Sequence, residues 1–351
     1  MTYALSTPRR GREAWLGRDM AASTEWIQPF PPRAIEEIDA ALRAVQKRGL
    51  AWPKFGRDDF PLPSFSRDLE AVRDELENGR GFVLVRGFPV ERYTEDELKT
   101  LYWGLGAHVG YQRYQNAMGE LIGEVRDENR RYGTVREPSM DPILGRSSRN
   151  KARSAGPLRF HTDRCDVVSL FCVRKAERGG LSQVVSAVSV SNAILERRPD
   201  LHALLCHDYW RSRQGEESGG EKKVFALPIF CEHQGKFSTQ YSRTFVEAAQ
   251  KLADVPRMTP AHDEALDLHA AMCEELCFTM ELQPGDWQLL NNHVIYHGRT
   301  HYEDADGQNE DRLLLRLWLA TPNSRALPAG YLPIWGTTEA GVPRGGIAQP
   351  A

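Results

Sequence analysis

The chain has 351 residues, 41% of them hydrophobic and 26% charged, with a net charge near −3. That composition describes a soluble globular protein large enough to bury a core without staples. It excludes the strong basic pull of a nucleic-acid or anionic-membrane binder, and no apolar run approaches the roughly 20 residues of a membrane helix. The six cysteines form no C-x-x-C pair, and the start, MTYALSTPRRGREAW, lacks the apolar core of a signal peptide. A reducing, cytoplasmic setting is the expectation.

In chain order, residues 1–30 read as a polar arm. PPRAIEEIDAALRAVQKRG (31–49) carries Ile35, Ile38, Leu42 and Val45 at helical spacing, with prolines before it and Gly49 after it. A second helix is predicted over about 66–78, ending at Asn78-Gly79, and a buried strand over 81–88. Thr94 and Glu97 form a capping box that opens a helix to about residue 105. LIGEV (121–125) is a strand candidate, and the polar, Gly- and Pro-scattered stretch 126–157 reads as a long loop of the kind that covers active sites. VVSLFCV and SQVVSAV, between 167 and 188, are two β-rich runs.

Further along, a helix is expected from about 190 to 197 and a strand pair around Cys231–Gly235. Thr259-Pro260 opens a helix over about 261–276. Trp287–Leu290 and RLLLRLWLA (312–320) are strands, the second continuously apolar and therefore interior. VPRGGIAQPA reads as a loose tail. Many short strands with few helices argue against a doubly wound α/β fold and for a barrel-like sandwich of two sheets.

FHTDRC (160–165) and IYHGRT (295–300) carry the chemistry. On a strand, His161 and Asp163 share a face, and His297 arrives from a distant strand. Two imidazoles and a carboxylate on one face of an octahedral ion leave three positions open, the arrangement of non-haem iron(II). The same donors with a water would suit a hydrolytic zinc, so a zinc-dependent hydrolase is the first alternative. A catalytically silent binding protein on the same scaffold is the second. His293, His297 and His301 are four apart, but WQLLNN before them and Gly298 among them argue against a helical ligand face.

FHTD (160–163), GGLS (179–182) and NNHVIYHGRTHYED…RLLLRLWL (291–319), in that order, resemble the TauD/TfdA-like family of Fe(II)- and 2-oxoglutarate-dependent dioxygenases, the taurine dioxygenase and clavaminate-synthase-like enzymes. The resemblance covers about residues 80–325. It implies a mainly β fold with peripheral helices, a double-stranded β-helix (jelly-roll) around the metal. The expected division is an N-terminal arm and helices over 1–75 and an oxygenase domain over 76–330, with the 126–157 loop as lid and a helical insert over about 190–280, followed by a tail over 331–351. It also implies Fe(II) held by His161, Asp163 and His297, with 2-oxoglutarate and O2 converted to succinate and CO2 as a small anionic substrate, an amino acid or carboxylate, is oxidised. Asp163 supplies the carboxylate that a halogenase would lack.

By the same resemblance Arg312 meets the far carboxylate of 2-oxoglutarate, and Ser182 takes the place of a threonine that touches it. Leu181 departs from the family's usual aspartate. Arg316, expected on the same face of the strand as Arg312, serves either the cosubstrate or the substrate. Two guanidiniums on an apolar strand need anionic partners. Asn292, Arg243, Tyr241, Gln115, Tyr114 and Tyr111 are candidates to touch the substrate or to support the metal site. The expected partner is a small molecule, with neither nucleic acid nor membrane, and a homo-oligomer is compatible with the sequence.

Overall fold

The computed structural model describes residues 7–128, 153–217, 221–305, 311–347 and 349. The first two amphipathic stretches are helices Pro32–Lys47 and Phe65–Asn78, whose buried faces carry Ile38, Leu42 and Val45, and Leu69, Val72 and Leu76. Pro32 sits in the first turn, where its missing N–H has no partner to lose. Glu95–Val109 follows behind the reciprocal Thr94–Glu97 box. These three helices pack against one face of a seven-stranded sheet, with Leu101, Tyr102 and Leu105 meeting Phe171, Trp287 and Leu317.

That sheet runs β1 (Ile27–Pro29), β2 (Phe82–Arg86), β14 (Trp287–Asn291), β6 (Val167–Arg174), β17 (Leu313–Ala320) and β3 (Tyr111–Arg113), and β4 (Ile122–Val125) also pairs with β17. Its pairings are antiparallel except β1 with β2. The other face looks toward a four-stranded sheet, β13 (Phe278–Met280), β8 (Ser182–Ser186), β15 (Ile295–Arg299) and β5 (Leu158–His161). Phe82, Val168, Leu290 and Leu314 share a core there with Val184, Val185, Ile295 and Tyr296. Both faces of β17 are thus covered, which is why LLLRLWLA is apolar at every position but Arg316 instead of alternating.

Between β8 and β13 the chain carries helices Ala187–Arg197, Pro199–Leu205, Arg243–Ala249 and Pro260–Leu276. Two hairpin pairs lie among them, β9 (Tyr209–Ser212) with β10 (Val224–Leu227) and β11 (Phe230–His233) with β12 (Lys236–Thr239). A last pair joins β7 (Arg178–Gly179) to β16 (Tyr302–Glu303).

The expectation of a mainly β double-stranded β-helix is corrected by this architecture. The described strands form five separate sheets, and the α-helices hold more residues than the strands. The fold is mixed α/β, layered as helices, large sheet, small sheet and helices. The physical reason is that a strand pattern reports which face is buried but not which ladder continues. Here the ladders end at short strands of two to five residues and at helices that cover the sheets.

Most of the loop expected over 126–157 lies outside the described residues. The described part of the tail read as loose is held down: Arg344 and Ile347 are buried, and the backbone of 345–347 is hydrogen-bonded to the body. No helix among the described residues is long and apolar enough to cross a membrane.

Candidate metal centre

Strands β5 and β15 place His161 and His297 directly opposite each other, with ring centroids 4.3 Å apart. β5 ends at His161, so Asp163 lies in the turn just beyond it rather than on the strand as expected. That turn is fixed from both sides. The Asp163 N–H donates to Asn292 Oδ1 at 2.9 Å, and Asn292 Nδ2 donates to the Cys165 carbonyl at 3.0 Å. The Thr162 N–H donates to the Tyr241 carbonyl at 2.8 Å, and the Tyr241 N–H donates back to Thr162 Oγ1 at 3.0 Å.

One ligand atom from each of His161, Asp163 and His297 lies within 4.8 Å of the others. The two His–Asp separations, 3.9 Å and 3.8 Å, are too long for hydrogen bonds. His161 Nδ1 faces the Arg159 carbonyl at 2.9 Å, which leaves Nε2 as the free lone pair. Burial, with His161 adding to it, pushes His297 down to about 3, so this imidazole is neutral; its buried Nδ1 has no hydrogen-bond partner among the described residues. Burial alone would raise the Asp163 carboxyl, but Arg316, the two imidazoles and the Trp318 N–H outweigh it and hold the group below its ordinary value. Trp318 Nε1 donates to Asp163 Oδ2 at 3.0 Å. Two imidazoles, that of His297 neutral, and an ionised carboxylate, facing one another without bonding, fit a divalent metal.

Two cavities open from this cluster. The smaller, about 50 Å³, is lined by His161, His297, Ser182, Arg299, Arg312 and Arg316 among others. Arg312 is buried there with its guanidinium 5.1 Å from the centre of the Tyr302 ring and a long 3.4 Å bond to the Val125 carbonyl. Among the described residues no carboxylate pairs with it, and burial lowers its pKa. Gly180 makes the close approach possible: its φ is +66°, and a Cβ there would lie 3.1 Å from Arg312 Nε. Ser182 Oγ donates to Gln288 Oε1 at 3.1 Å.

The larger cavity, about 350 Å³, is lined by His161 and Asp163 and reaches Gln115, Arg213, Arg243 and Ile347. Arg316 lines both cavities. Its Nε donates to Gln115 Oε1 at 2.6 Å, and its Nη1 lies 3.9 Å from Asp163 Oδ2. Gln115 in turn donates to the carbonyls of Arg316 and Leu121.

The structure therefore brings His161, Asp163, His297, Arg312, Arg316, Ser182, Asn292 and Gln115 to one region. Arg243 reaches the cavity, but its guanidinium is paired with Glu247 at 3.0 Å and Asp267 at 2.7 Å. Tyr241 lines neither cavity; its ring packs on His269 and Tyr296, and only its backbone props the ligand turn. Tyr111 and Tyr114 are 51% and 38% exposed and line neither cavity. Sequence reasoning missed Trp318, Arg299, Arg164 and Arg213. Strand alternation could have found the first two, since Trp318 is two past Arg316 and Arg299 two past His297. Arg213 carries no such signal.

A family profile, "Taurine catabolism dioxygenase TauD, TfdA family", matches residues 46–318. FR-33289 synthase of Streptomyces rubellomurinus is 29% identical over 98% of this chain and 99% of its own length. Taurine hydroxylase-like protein SAT17 of Stachybotrys chartarum is 30% identical over 87% of this chain and 77% of its own. Among solved structures, an asparagine oxygenase in complex with Fe(II), 2S,3S-3-hydroxyasparagine and succinate superposes with a TM-score of 0.61 at 18% identity, covering 87% of this chain and 98% of that one. The non-haem iron oxygenase OrfP in complex with Fe and α-ketoglutaric acid gives 0.56 at 15% identity, covering 91% and 99%. At these identities the likeness speaks for the fold.

Proposed function

The chain belongs to the taurine catabolism dioxygenase TauD, TfdA family and carries the two-histidine, one-carboxylate site of an Fe(II)- and 2-oxoglutarate-dependent oxygenase; from that premise we propose that it oxidises a small anionic molecule, an amino acid or carboxylate, seated in the larger cavity. The observation that carries the reading is the pair of cavities meeting at one triad, the smaller holding a buried arginine that no carboxylate among the described residues pairs with. Fe(II) with 2-oxoglutarate, when bound, supplies the oxidising chemistry, converting O2 and the cosubstrate to succinate and CO2 as the substrate is oxidised.

The protein's part is to bind, orient and exclude water. His161, Asp163 and His297 hold the metal. Arg312 takes the distal carboxylate of 2-oxoglutarate, and the Ser182 hydroxyl assists by turning from Gln288. Arg316, tethered by Gln115, stands between the cavities and orients whichever anion lies beside Asp163. Asn292 fixes the turn that aims Asp163. A cavity of about 350 Å³ is at the size of small-molecule sites and fits a metabolite rather than a polymer. The hydroxylated amino acids in the asparagine oxygenase and OrfP complexes support an amino-acid-like substrate. The six free thiols, five of them buried, fit the reducing cytoplasm in which we place the enzyme.

The test is a screen of amino acids and small carboxylates, sulfonates and phosphonates for succinate release above the substrate-free rate. At least one anion should raise the rate several-fold and gain oxygen. Stimulation only by neutral or cationic compounds would sink the substrate class while leaving the oxygenase intact.

A further inference from the structure

The family profile ends at residue 318, yet the larger cavity is closed by residues beyond it: Ile334 and Ile347 both face into it. We propose that the C-terminal segment Arg344–Ile347 is the specificity-determining wall of the substrate cavity, with Ile347 as the side chain that limits substrate size. The assignment rests on the larger cavity being the substrate site.

The segment is built into the site rather than laid over it. The Gly346 N–H donates to the carbonyl of Arg164, the residue next to Asp163, at 2.6 Å. The Ile347 N–H donates to the Tyr114 carbonyl at 2.8 Å, and the Gly345 N–H to the Trp335 carbonyl at 2.9 Å. In the other direction, Arg164 Nε donates to the Ile334 carbonyl at 2.6 Å and Arg213 Nη2 to the Pro333 carbonyl at 2.7 Å. Two cavity-lining guanidiniums thus grip the backbone of the segment that leads to the wall.

Arg344 is its anchor. The side chain is buried, with Nε 2.9 Å from Asp166 Oδ1, and His293 Nε2 meets the same oxygen at 2.8 Å. Gly346 passes where a side chain would not fit. Its φ is +72°, and a Cβ would lie 2.8 Å from Arg113 Cβ and 3.0 Å from the Tyr114 carbonyl oxygen. The result is an apolar side chain held over a cavity that leads to His161 and Asp163, at a position beyond the span that the family profile matches.

The experiment uses the anaerobic Fe(II)- and 2-oxoglutarate-loaded protein, with a bidentate aromatic chelator of the bipyridyl type as the probe of access. Ile347→Ala enlarges the cavity, and Gly346→Ala displaces the wall as a whole. Pro343→Ala, exposed just before the segment, is the control. Each is checked for folding by its melting temperature and for the iron–keto charge-transfer band. The chelator should strip iron on the order of tenfold faster from both cavity variants and at the wild-type rate from the control. Among acids that raise succinate release, Ile347→Ala should shift preference toward bulkier ones, which a merely structural role would not do. Wild-type stripping rates in both variants, or faster stripping with an unchanged order of acids, would overturn the proposal. Absence of the band in the wild type would sink the oxygenase reading itself, and the wall with it.

Discussion

Arg312→Leu should move ligand affinity and stability in opposite directions. In the absence of 2-oxoglutarate the Arg312 guanidinium is a buried charge whose contacts among the described residues include a 3.4 Å bond to the Val125 carbonyl and the Tyr302 ring, over which it lies 5.1 Å from the centre. Burial of a charge without a carboxylate is costly, and replacing such a group by an apolar side chain of similar volume is often neutral or stabilising by about 1–4 kcal/mol. The ligand-free variant should therefore unfold at the wild-type denaturant midpoint or above it. With 2-oxoglutarate the sign reverses. Losing a charge-assisted hydrogen bond to the distal carboxylate costs about 1.5–3 kcal/mol, roughly 10- to 150-fold in affinity. Denaturation of the metal-loaded protein with and without cosubstrate, paired with titration of the charge-transfer band, reads both quantities. A ligand-free variant destabilised by about 3 kcal/mol, the cost of breaking a paired buried charge, with unchanged 2-oxoglutarate affinity would show that Arg312 is a structural residue.

Three further outcomes follow from the geometry. Asn292→Ala leaves the Asp163 N–H and the Cys165 carbonyl without their partner; it should lower stability by about 1–3 kcal/mol and iron affinity roughly 10- to 100-fold, read by metal titration. Gly180→Ala places a side chain at φ +66° and 3.1 Å from Arg312 Nε, so it should cost about 1–2 kcal/mol and weaken 2-oxoglutarate binding while leaving iron affinity unchanged. Burial pushes His202 down to about 4 and His269 to about 3, so both stay neutral in the folded protein while the unfolded chain takes up protons near pH 6.5. The unfolded state then binds more protons as pH falls below that value, and each histidine should remove about 2 kcal/mol of stability by pH 5. Denaturation between pH 7 and pH 5 checks this: His269→Phe should flatten part of the slope, and a pH-independent stability would contradict it.

The sequence was most informative where a local rule met a tertiary fact. The Thr94–Glu97 box, the proline at Pro32 and the apolar stripes of the first helices mark elements that the structure shows within a few residues. His161 and His297 were legible because a mixed-polarity strand carrying histidine needs a reason, and the family motifs supplied one. Asp163 was found for a partly mistaken reason. It shares the metal face because Asn292 and Tyr241 hold a turn there, not because strand alternation continues past His161. Sheet closure was not legible at all. Short strands look alike whether their ladder closes or stops, and among the described residues they stop, in five sheets. Arg213 and Ile347 were invisible for a related reason: their place in the cavity comes from how a hairpin and the C-terminal segment fold back onto the site.

The central claim is that His161, Asp163 and His297 hold iron beside a 2-oxoglutarate pocket. The most direct measurement is an anaerobic titration of the metal-free protein with Fe(II) and 2-oxoglutarate, followed in the visible range. The account predicts an iron–keto charge-transfer band in the wild type, weakened in Arg312→Ala and lost in His297→Ala. No band in the wild type, with zinc retained through purification, would contradict it.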